Sequence, residues 1–355
     1  MKKRVSFITL GCKVNQYETN AMMQKFQESG YEIVEIDEVS DICVVNTCTV
    51  TNMSDRKSRQ ALRKVKDKNQ NAIIVATGCY AQSSKEELEK MPEIDVVLGN
   101  EEKRDIVKYV EKYFEQNQKL TAVQDISTQK EFEENIGLID LLEEINKIDG
   151  IVRIRLGSLE PKIITEEFMQ RLIKLEKICH HFHLSLQSGC DNTLKRMNRK
   201  YTTSEFKEIV QRLRRYYNDV ILTTDIIVGF PGETEEDFET TYNYLKKINF
   251  YKMHVFPYSP RKGTVAAKMP NQIQGDVKER RSKRLIELSN ENQKQYNQNL
   301  IGKDVDVLFE EKNKEGYYKG HTQNYILVEY KNDDELENKI VKVNIRNAKI
   351  EYVIG

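Results

Sequence analysis

Three of the six cysteines in this chain occupy the same kind of position. Cys12 stands in ITLGCKVNQYET, Cys48 in CVVNTCTVT and Cys79 in IVATGCYAQ, and each follows a short apolar run. Such runs, each followed by a polar stretch compatible with a helix, predict repeated strand, loop and helix units that build a parallel sheet. The loops after parallel strands open at one edge of the sheet, where ligands collect. We therefore expect the three thiols to meet at that edge.

The chemistry of three converging thiols narrows the choice of site. A disulfide uses two sulfurs and leaves one over, and a closed zinc site takes four ligands, often from close cysteine pairs. Three cysteinates on a four-iron cluster would leave one iron open to a small sulfur species. The alternative is that each cysteine is a small buried hydrophobic residue. The repetition of one strand-end position favours the cluster.

The segments GCKVNQYET, NTCTVT and TGCYAQ resemble the N-terminal domain of the radical S-adenosylmethionine tRNA methylthiotransferases. The resemblance implies that Cys12, Cys48 and Cys79 hold an auxiliary 4Fe-4S cluster. It is strongest with the branch that adds a methylthio group to C2 of N6-threonylcarbamoyladenosine at position 37 of tRNA. The implied cofactor is S-adenosyl-L-methionine, and the implied partners are the tRNA anticodon loop and unidentified electron and sulfur donors.

Composition sets broader limits. The chain has 355 residues, with 56 basic and 56 acidic side chains, so net charge gives no argument for or against a polyanionic partner. Hydrophobic residues at 39% and charged residues at 32% are typical of a globular protein. The cysteines lack close pairing, which favours a reducing compartment. MKKRVSFITLGC imitates a signal peptide but turns polar at once, and no apolar run is long enough to cross a bilayer. We expect a cytoplasmic protein.

The overall class predicted is α/β, in three parts. An N-terminal parallel-sheet methylthiotransferase domain is expected at residues 1–118, with strands at 5–10, 42–45, 73–76 and 96–98, and helices at 17–29 and 54–66. Cys43, in the middle of a strand, is expected in the core. The basic face of helix 54–66 is compatible with RNA contact, although a solvated face is the more common arrangement.

A linker is expected at residues 119–135, followed by a truncated partial barrel at 136–275. The barrel's predicted strands are 151–157, 181–187, 220–230 and 253–259, with helices starting near Leu138 and at 202–217 and 235–248. Residues on the loops after such strands carry function. By the resemblance, Glu160, Gln187, Arg199 and Asp225 would contact the methionyl or ribose groups of S-adenosylmethionine. Each of them could equally cap a strand end.

The HHFH segment has a metal-like composition but lacks the ligand spacing of a known motif, so a metal site is not favoured there. Cys179 is placed in a helix beside these histidines, and Cys190 follows a turn glycine.

A connecting helix is expected at residues 276–300. Its start carries a basic patch that could face RNA backbone, formed by Arg280, Arg281, Lys283 and Arg284. From 301 to 355 the pattern changes to a period of two, which predicts a small antiparallel β-barrel. This segment resembles the tRNA-binding TRAM module of the same family.

One feature of the family is missing. Radical S-adenosylmethionine enzymes use CxxxCxxC to hold the cluster that reduces the cofactor, and this chain has no such spacing. At its expected place STQKEFEEN passes directly into IGLIDLLEEI, so two barrel strands and the helix between them are absent, at least roughly 30 residues. Two hypotheses follow. The chain is an enzyme by family and inactive as written, or it is a cluster- and tRNA-binding remnant or an incomplete gene model. No catalytic residue is assigned.

Overall fold

The computed structural model describes residues 2–49, 52–125, 137–261 and 263–355. The chain divides into two units. The first unit comprises residues 1–132 and 259–262, and the second comprises 133–258 and 263–355. Each unit has its own β-structure and its own buried hydrophobic residues.

The first unit is built on a parallel sheet. Within the described residues its strands are β1 (Arg4–Thr9), β2 (Glu32–Ile33), β3 (Ile42–Thr47), β4 (Ile73–Gly78), β5 (Val96–Leu98) and β6 (Leu120–Ala122). They lie in the order β2-β1-β3-β4-β5-β6, and each neighbouring pair is parallel. Every residue of β3 and β4 is buried, because parallel strands of this kind are covered on both faces.

Helices provide that cover. They are α1 (Lys13–Glu28), α2 (Asn52–Lys68), α3 (Cys79–Ser83), α4 (Lys85–Glu89) and α5 (Ile106–Gln116), with a 3-10 turn at Glu102–Asp105. Phe26 of α1 and Ile106 of α5 share one buried cluster. Leu62 of α2 and Leu88 of α4 belong to a different one. The two sets of helices therefore pack on opposite faces, and each crossover returns the chain to the same edge of the sheet.

The second unit begins with an incomplete barrel. Its described strands are β7 (Ile154–Leu159), β8 (Ile178–Gln187), β9 (Ile221–Val228) and β10 (Lys252–Pro257), all parallel and in sequence order across the sheet. The helices are α6 (Leu138–Lys147), α7 (Glu166–Leu172), α8 (Asp191–Arg196), α9 (Thr203–Tyr216), α10 (Glu235–Ile248), α11 (Val265–Lys268) and α12 (Gly275–Gln298). Phe182, Phe206 and Phe238 lie in the core between sheet and helices.

The C-terminal part of the second unit is a small, mainly antiparallel sheet that forms a half-barrel. Its strands are β11 (Asp304–Lys312), β12 (Tyr317–Thr322), β13 (Leu327–Lys331), β14 (Ile340–Asn344), β15 (Asn347–Ala348) and β16 (Val353–Ile354), in the order β14-β11-β12-β13-β16-β15. The pair β13 and β16 is parallel, which the expected antiparallel pattern did not include. Phe309 and Tyr318 are fully buried in the hydrophobic cluster of this half-barrel.

Two local predictions are wrong. Cys179 lies in strand β8 and not in a helix. The strand predicted at 181–187 begins three residues earlier, at Ile178, and the polar His180 and His181 at its start concealed this extension. The expected linker is also too long at its start, because Leu120–Ala122 form β6. A three-residue edge strand is too short to show any periodicity.

Residues 126–135 of that linker and the junction at which the family segment is missing lie outside the described residues. In the part of the chain that the structure describes, no helix combines the length and hydrophobicity needed to span a membrane.

Candidate functional site

The three cysteines stand at the same edge of the first sheet. Cys12 is the residue before α1, Cys48 directly follows β3, and Cys79 directly follows β4 as the first residue of α3. Strands β1, β3 and β4 are adjacent in the sheet. Their carboxyl ends point the same way, so the three loops meet side by side.

Close contacts join these loops. A Cβ atom added to Gly11 would lie 2.7 Å from the Cys48 Sγ atom, so the backbone before Cys12 runs directly against Cys48. Asn15 is buried and donates from Nδ2 to the carbonyl oxygens of Leu10 (2.7 Å) and Thr47 (3.0 Å). The structure therefore fixes the loops after β1 and β3 against each other.

The third thiol belongs to the same neighbourhood. Cys79 Sγ lies 4.0 Å from the Oδ1 atom of Asn15. Burial raises the pKa of the Cys79 thiol, the Lys103 ammonium lowers it, and the thiols of Cys48 and Cys12 raise it further. Cys12 is exposed, Cys79 is half-buried and Cys48 is buried. The site thus reaches from the surface into the sheet edge.

The edge also contains buried polar atoms that lack a hydrogen-bond partner in the described structure. They are Asn46 Oδ1, Thr77 Oγ1, Asn100 Oδ1 and Glu102 Oε2. Asn46 and Thr77 are the second-to-last residues of β3 and β4, and Asn100 and Glu102 lie after β5. Leaving such atoms unpaired is destabilising by about 1–3 kcal/mol each. All four lie at the carboxyl ends of neighbouring strands, the edge at which the three cysteines also stand.

The donor set fits an iron-sulfur cluster better than a single ion. Among the described residues, no three His, Cys, Asp or Glu side chains are arranged to hold one metal ion. Cysteines on a multi-iron cluster each bind a different iron, so they stand apart around it. Three thiols on three loops, one of them exposed, fit that requirement and leave room for an iron without a protein ligand.

The other cysteines do not join this site. Cys43 lies inside β3, and burial raises its pKa to about 11. Cys179 is buried in β8. Cys190, directly before α8, donates to Asp237 Oδ1 at 3.2 Å. They lie on separate elements, away from the edge that carries Cys12, Cys48 and Cys79.

Of the four residues expected near S-adenosylmethionine, Gln187 and Asp225 lie in strands of the second unit, and Glu160 and Arg199 lie in loops. Glu160 follows β7, Gln187 ends β8 with a φ of 69°, and Arg199 follows α8. Arg199 Nη1 lies 3.8 Å from Glu160 Oε2. Asp225 sits in the middle of β9, where its Oδ2 atom is 3.2 Å from His183 Nε2. The first three are thus near the carboxyl edge, and Asp225 is deeper in the sheet.

Sequence reasoning missed a polar group on this sheet. Thr223 Oγ1 lies 2.9 Å from His183 Nδ1 and 3.2 Å from His181 Nε2. The His183 and His254 rings are 5.6 Å apart, and His254 pairs in register with Asp225. The signal was the spacing of two along β8, which places His181 and His183 on one face.

The basic patch at the start of α12 is mostly occupied by acidic partners from α10 and the turn before it. Arg281 is 3% exposed, and its Nη1 atom lies 2.7 Å from Glu233 Oε1. Arg284 bonds Glu239, and Arg280 lies 3.5 Å from Glu235. Lys283 is exposed. A role for these residues in RNA binding stays a prediction.

Comparison with protein families gives two matches. The model described as "Uncharacterized protein family UPF0004" matches residues 4–99, the range that contains all three edge cysteines. The model of the radical SAM superfamily matches residues 77–245, which takes in β7, β8 and β9.

Curated relatives extend over nearly the whole chain. The threonylcarbamoyladenosine tRNA methylthiotransferase MtaB of Bacillus subtilis is 34% identical over 99% of this chain and 95% of its own length. Its namesake in Aquifex aeolicus is 34% identical over 96% and 100%. The tRNA-2-methylthio-N(6)-dimethylallyladenosine synthase of Alkaliphilus oremlandii is 32% identical over 97% and 90%.

The alignment with the Bacillus subtilis relative is longer than this chain. It runs over 430 residues, whereas the chain has 355. Since nearly all of both proteins is aligned, that relative has internal residues with no counterpart here.

Among solved structures, the cobalamin-dependent S-adenosylmethionine radical enzyme OxsB is similar with a TM-score of 0.47 and 11% identity, covering 81% of this chain and 56% of OxsB.

Proposed function

Because the chain belongs to the radical S-adenosylmethionine tRNA methylthiotransferases, in the threonylcarbamoyladenosine (MtaB) branch, we propose a specific division of its parts. The first unit holds one 4Fe-4S cluster on Cys12, Cys48 and Cys79. The second unit binds S-adenosylmethionine and tRNA. The family reaction places a methylthio group on C2 of N6-threonylcarbamoyladenosine beside the anticodon.

The observation that carries this proposal is the placement of the three thiols. They follow adjacent parallel strands, and Asn15 and Gly11 hold two of the loops in contact. The cluster, when bound, supplies an iron without a protein ligand that can take up a sulfur species. The residues of the chain position it, and Cys12 leaves one side of the site open to solvent.

The second unit supports the binding of S-adenosylmethionine. Glu160, Gln187 and Arg199 stand at or near the carboxyl edge of the incomplete barrel, which is the edge that carries ligands in such folds. Asp225 presents a carboxylate from the sheet itself. Acidic and amide oxygens at such positions are suited to hydroxyl and ammonium groups. The C-terminal half-barrel and the exposed Lys283 are the proposed contacts for the tRNA anticodon loop.

We propose that this chain does not carry out the radical step. The C2 hydrogen of adenine is unactivated, so ordinary side chains cannot remove it and a cofactor radical is required. The CxxxCxxC cysteines that would hold the reducing cluster are absent from the sequence. The alignment that exceeds the chain length supports an internal loss. On this reading the chain is a cluster- and tRNA-binding remnant, or the product of an incomplete gene model.

Iron analysis tests the proposal directly. Protein reconstituted anaerobically with ferrous iron and sulfide should hold about four irons per chain, against about eight if a second cluster forms. Cys79→Ala should lose most of that iron, whereas Cys43→Ala, which alters a buried thiol inside β3, should keep it. Equal iron in wild type and the Cys12, Cys48 and Cys79 triple alanine variant would overturn the site.

The activity claim has its own assay. Incubation of the reconstituted protein with S-adenosylmethionine and dithionite should give no 5'-deoxyadenosine, and production of that compound would contradict the inactivity proposal. Binding of an anticodon stem-loop carrying threonylcarbamoyladenosine, measured in parallel, supports a binding remnant. Failure to bind it would remove the tRNA part of the proposal. A cytoplasmic location belongs to the same proposal, and so do the unidentified electron and sulfur donors that the family reaction requires.

A further inference from the structure

An ion pair with a buried lysine joins the segments that flank the proposed cluster site. Lys103 Nζ is 2.6 Å from Glu18 Oε2, and the two side chains are 8% and 30% exposed. Lys103 belongs to the 3-10 turn after β5, and Glu18 lies in α1, which starts directly after Cys12. The pair therefore joins two segments that follow strand ends of the same sheet.

This lysine is unusual among its neighbours. Among the ion pairs described in the first unit, the other basic side chains are at least 28% exposed. Burying an ammonium group is costly, and one carboxylate that is itself partly solvated offsets only part of that cost. In the described structure Glu18 is the hydrogen-bond partner of Lys103 Nζ, which has three protons to donate. A further anionic partner would complete its environment.

Glu18 lies one helical turn after Asn15 on α1, and Asn15 Oδ1 is 4.0 Å from Cys79 Sγ. Because Lys103 pairs with Glu18, its positive charge is held near that thiol. It lowers the pKa of Cys79 against the stronger effect of burial, while Glu18 acts weakly in the opposite sense. A cluster carried by three cysteinates is anionic, and reduction adds one more negative charge. The net charge around a cluster is one of the factors that sets its reduction potential.

We propose that Lys103, held in place by Glu18, supplies a positive charge that raises the reduction potential of the cluster on Cys12, Cys48 and Cys79. The inference rests on the proposed function, since it requires that cluster. The step concerned is a one-electron reduction in which the electron comes from an added reductant and no bond is made or broken. The group that Lys103 attracts electrostatically is an anionic iron-sulfur centre.

The test is a redox titration of the full chain reconstituted with iron and sulfide, followed by electron paramagnetic resonance. At the wild-type midpoint potential, Lys103→Met should lower the ratio of reduced to oxidised cluster by about tenfold, which is about 59 mV for one electron. Lys103→Arg keeps the charge and should stay within about twofold of wild type. Glu18→Gln keeps an acceptor for the ammonium and removes a negative charge, so the ratio should rise.

Lys66→Met is the matched control. Lys66 pairs with Asp95 at 3.5 Å, and Asp95 precedes β5, so this pair lies at the opposite edge of the sheet. Its loss should leave the ratio unchanged. The inference is overturned if Lys103→Met binds iron with an unaltered ratio, or if Lys66→Met shifts it equally. If circular dichroism shows that Lys103→Met does not fold, the test rests on Glu18→Gln. A ratio of reduced to oxidised cluster that does not rise in that variant contradicts the proposal. Absence of cysteine-dependent iron in wild type defeats the proposed function instead, so the two failures are distinguishable.

Discussion

Gly11 shows how one residue controls the cysteine edge. Its φ of 102° is a conformation that side chains rarely allow, and a Cβ atom there would lie 2.7 Å from both Cβ and Sγ of Cys48. The position therefore requires glycine for its backbone conformation and for the space beside a thiol. Gly30 has a similar φ of 86°, but no atom lies within 4 Å of its added Cβ.

Gly11→Ala is therefore expected to lower iron binding, whereas Gly30→Ala is not. Both substitutions strain the backbone and should reduce the free energy of unfolding by about 1–2 kcal/mol, and the overlap with Cys48 should add about 1–3 kcal/mol in Gly11→Ala. Only the first displaces Cys48, so only the first should lower the iron content of the reconstituted protein. Urea unfolding followed by circular dichroism gives the stability, and a colorimetric assay gives the iron. Equal iron contents in the two variants would contradict the prediction, because they would show that the added methyl group does not displace Cys48.

At this scale the sequence identifies candidate ligands more readily than the residues that support them. The thiols were predictable because one strand-end position occurs three times. Lys103 and Glu18 are 85 residues apart and are ordinary charged residues in the sequence. Nothing in a local pattern distinguishes a buried lysine from a solvated one, because burial is decided by the crossovers that bring distant loops together.

The start of helix α10 can be predicted from its local sequence, because Thr234 and Asp237 form a cap. Thr234 Oγ1 accepts from the Asp237 backbone N–H at 3.1 Å, and Asp237 Oδ2 accepts from the Thr234 N–H at 3.1 Å. This reciprocal cap explains why the predicted helix at 235–248 agrees with the structure. Strand β8 was less predictable at its start, since His181 is polar but buried and does not mark a solvent side.

The ionised Asp237 side chain also makes a pH-dependent contribution to the free energy of unfolding. Burial raises its pKa, but bonds from Arg196, the Thr234 N–H and Cys190 outweigh burial and lower it from 3.8 to about 2. Because the folded value lies below the unfolded one, the contribution is complete above about pH 4 and is lost as pH falls through 2.

Asp237→Asn should therefore lower the free energy of unfolding by about 2 kcal/mol at pH 7, and by about half as much at pH 3. Thr234→Ala is the control, because it removes a cap worth about 1 kcal/mol without removing a titrating group. Its effect should be similar at both pH values. Urea denaturation at pH 7 and pH 3 measures both variants, and a constant gap for Asp237→Asn would contradict the linkage.

At the scale of the whole second unit, side chains of the incomplete barrel contact the C-terminal half-barrel directly. Arg153 Nη1 donates to the His321 carbonyl oxygen at 2.7 Å. The Arg155 guanidinium lies 4.0 Å from the centre of the Tyr325 ring, which also contacts the ring of His181. The sequence predicted both sheets but not this joint, because Arg153 and His321 are 168 residues apart. Contacts of that separation depend on how the helices and strands between them pack.

His181 makes this joint sensitive to acid. It is 4% exposed, and burial lowers its pKa from 6.5 to about 3, with further lowering by Arg155 and by the histidines at 183, 321 and 254. The folded protein therefore keeps His181 neutral where the unfolded chain takes up a proton. Its contribution to stability is complete above about pH 6.5 and is lost as pH falls from there towards 3.

Between pH 8 and pH 5, this one group should reduce the free energy of unfolding by about 2 kcal/mol. His181→Gln cannot take up the proton but can still bond Thr223, so its stability should fall by correspondingly less over the same range. His180→Gln is the control, since His180 lies on the other face of β8 and pairs with Asp219. Tyrosine fluorescence during urea unfolding at the two pH values reports the difference. If His181→Gln loses as much stability as wild type, the acid sensitivity resides in other groups, and the joint between the two sheets is not the element that responds to pH.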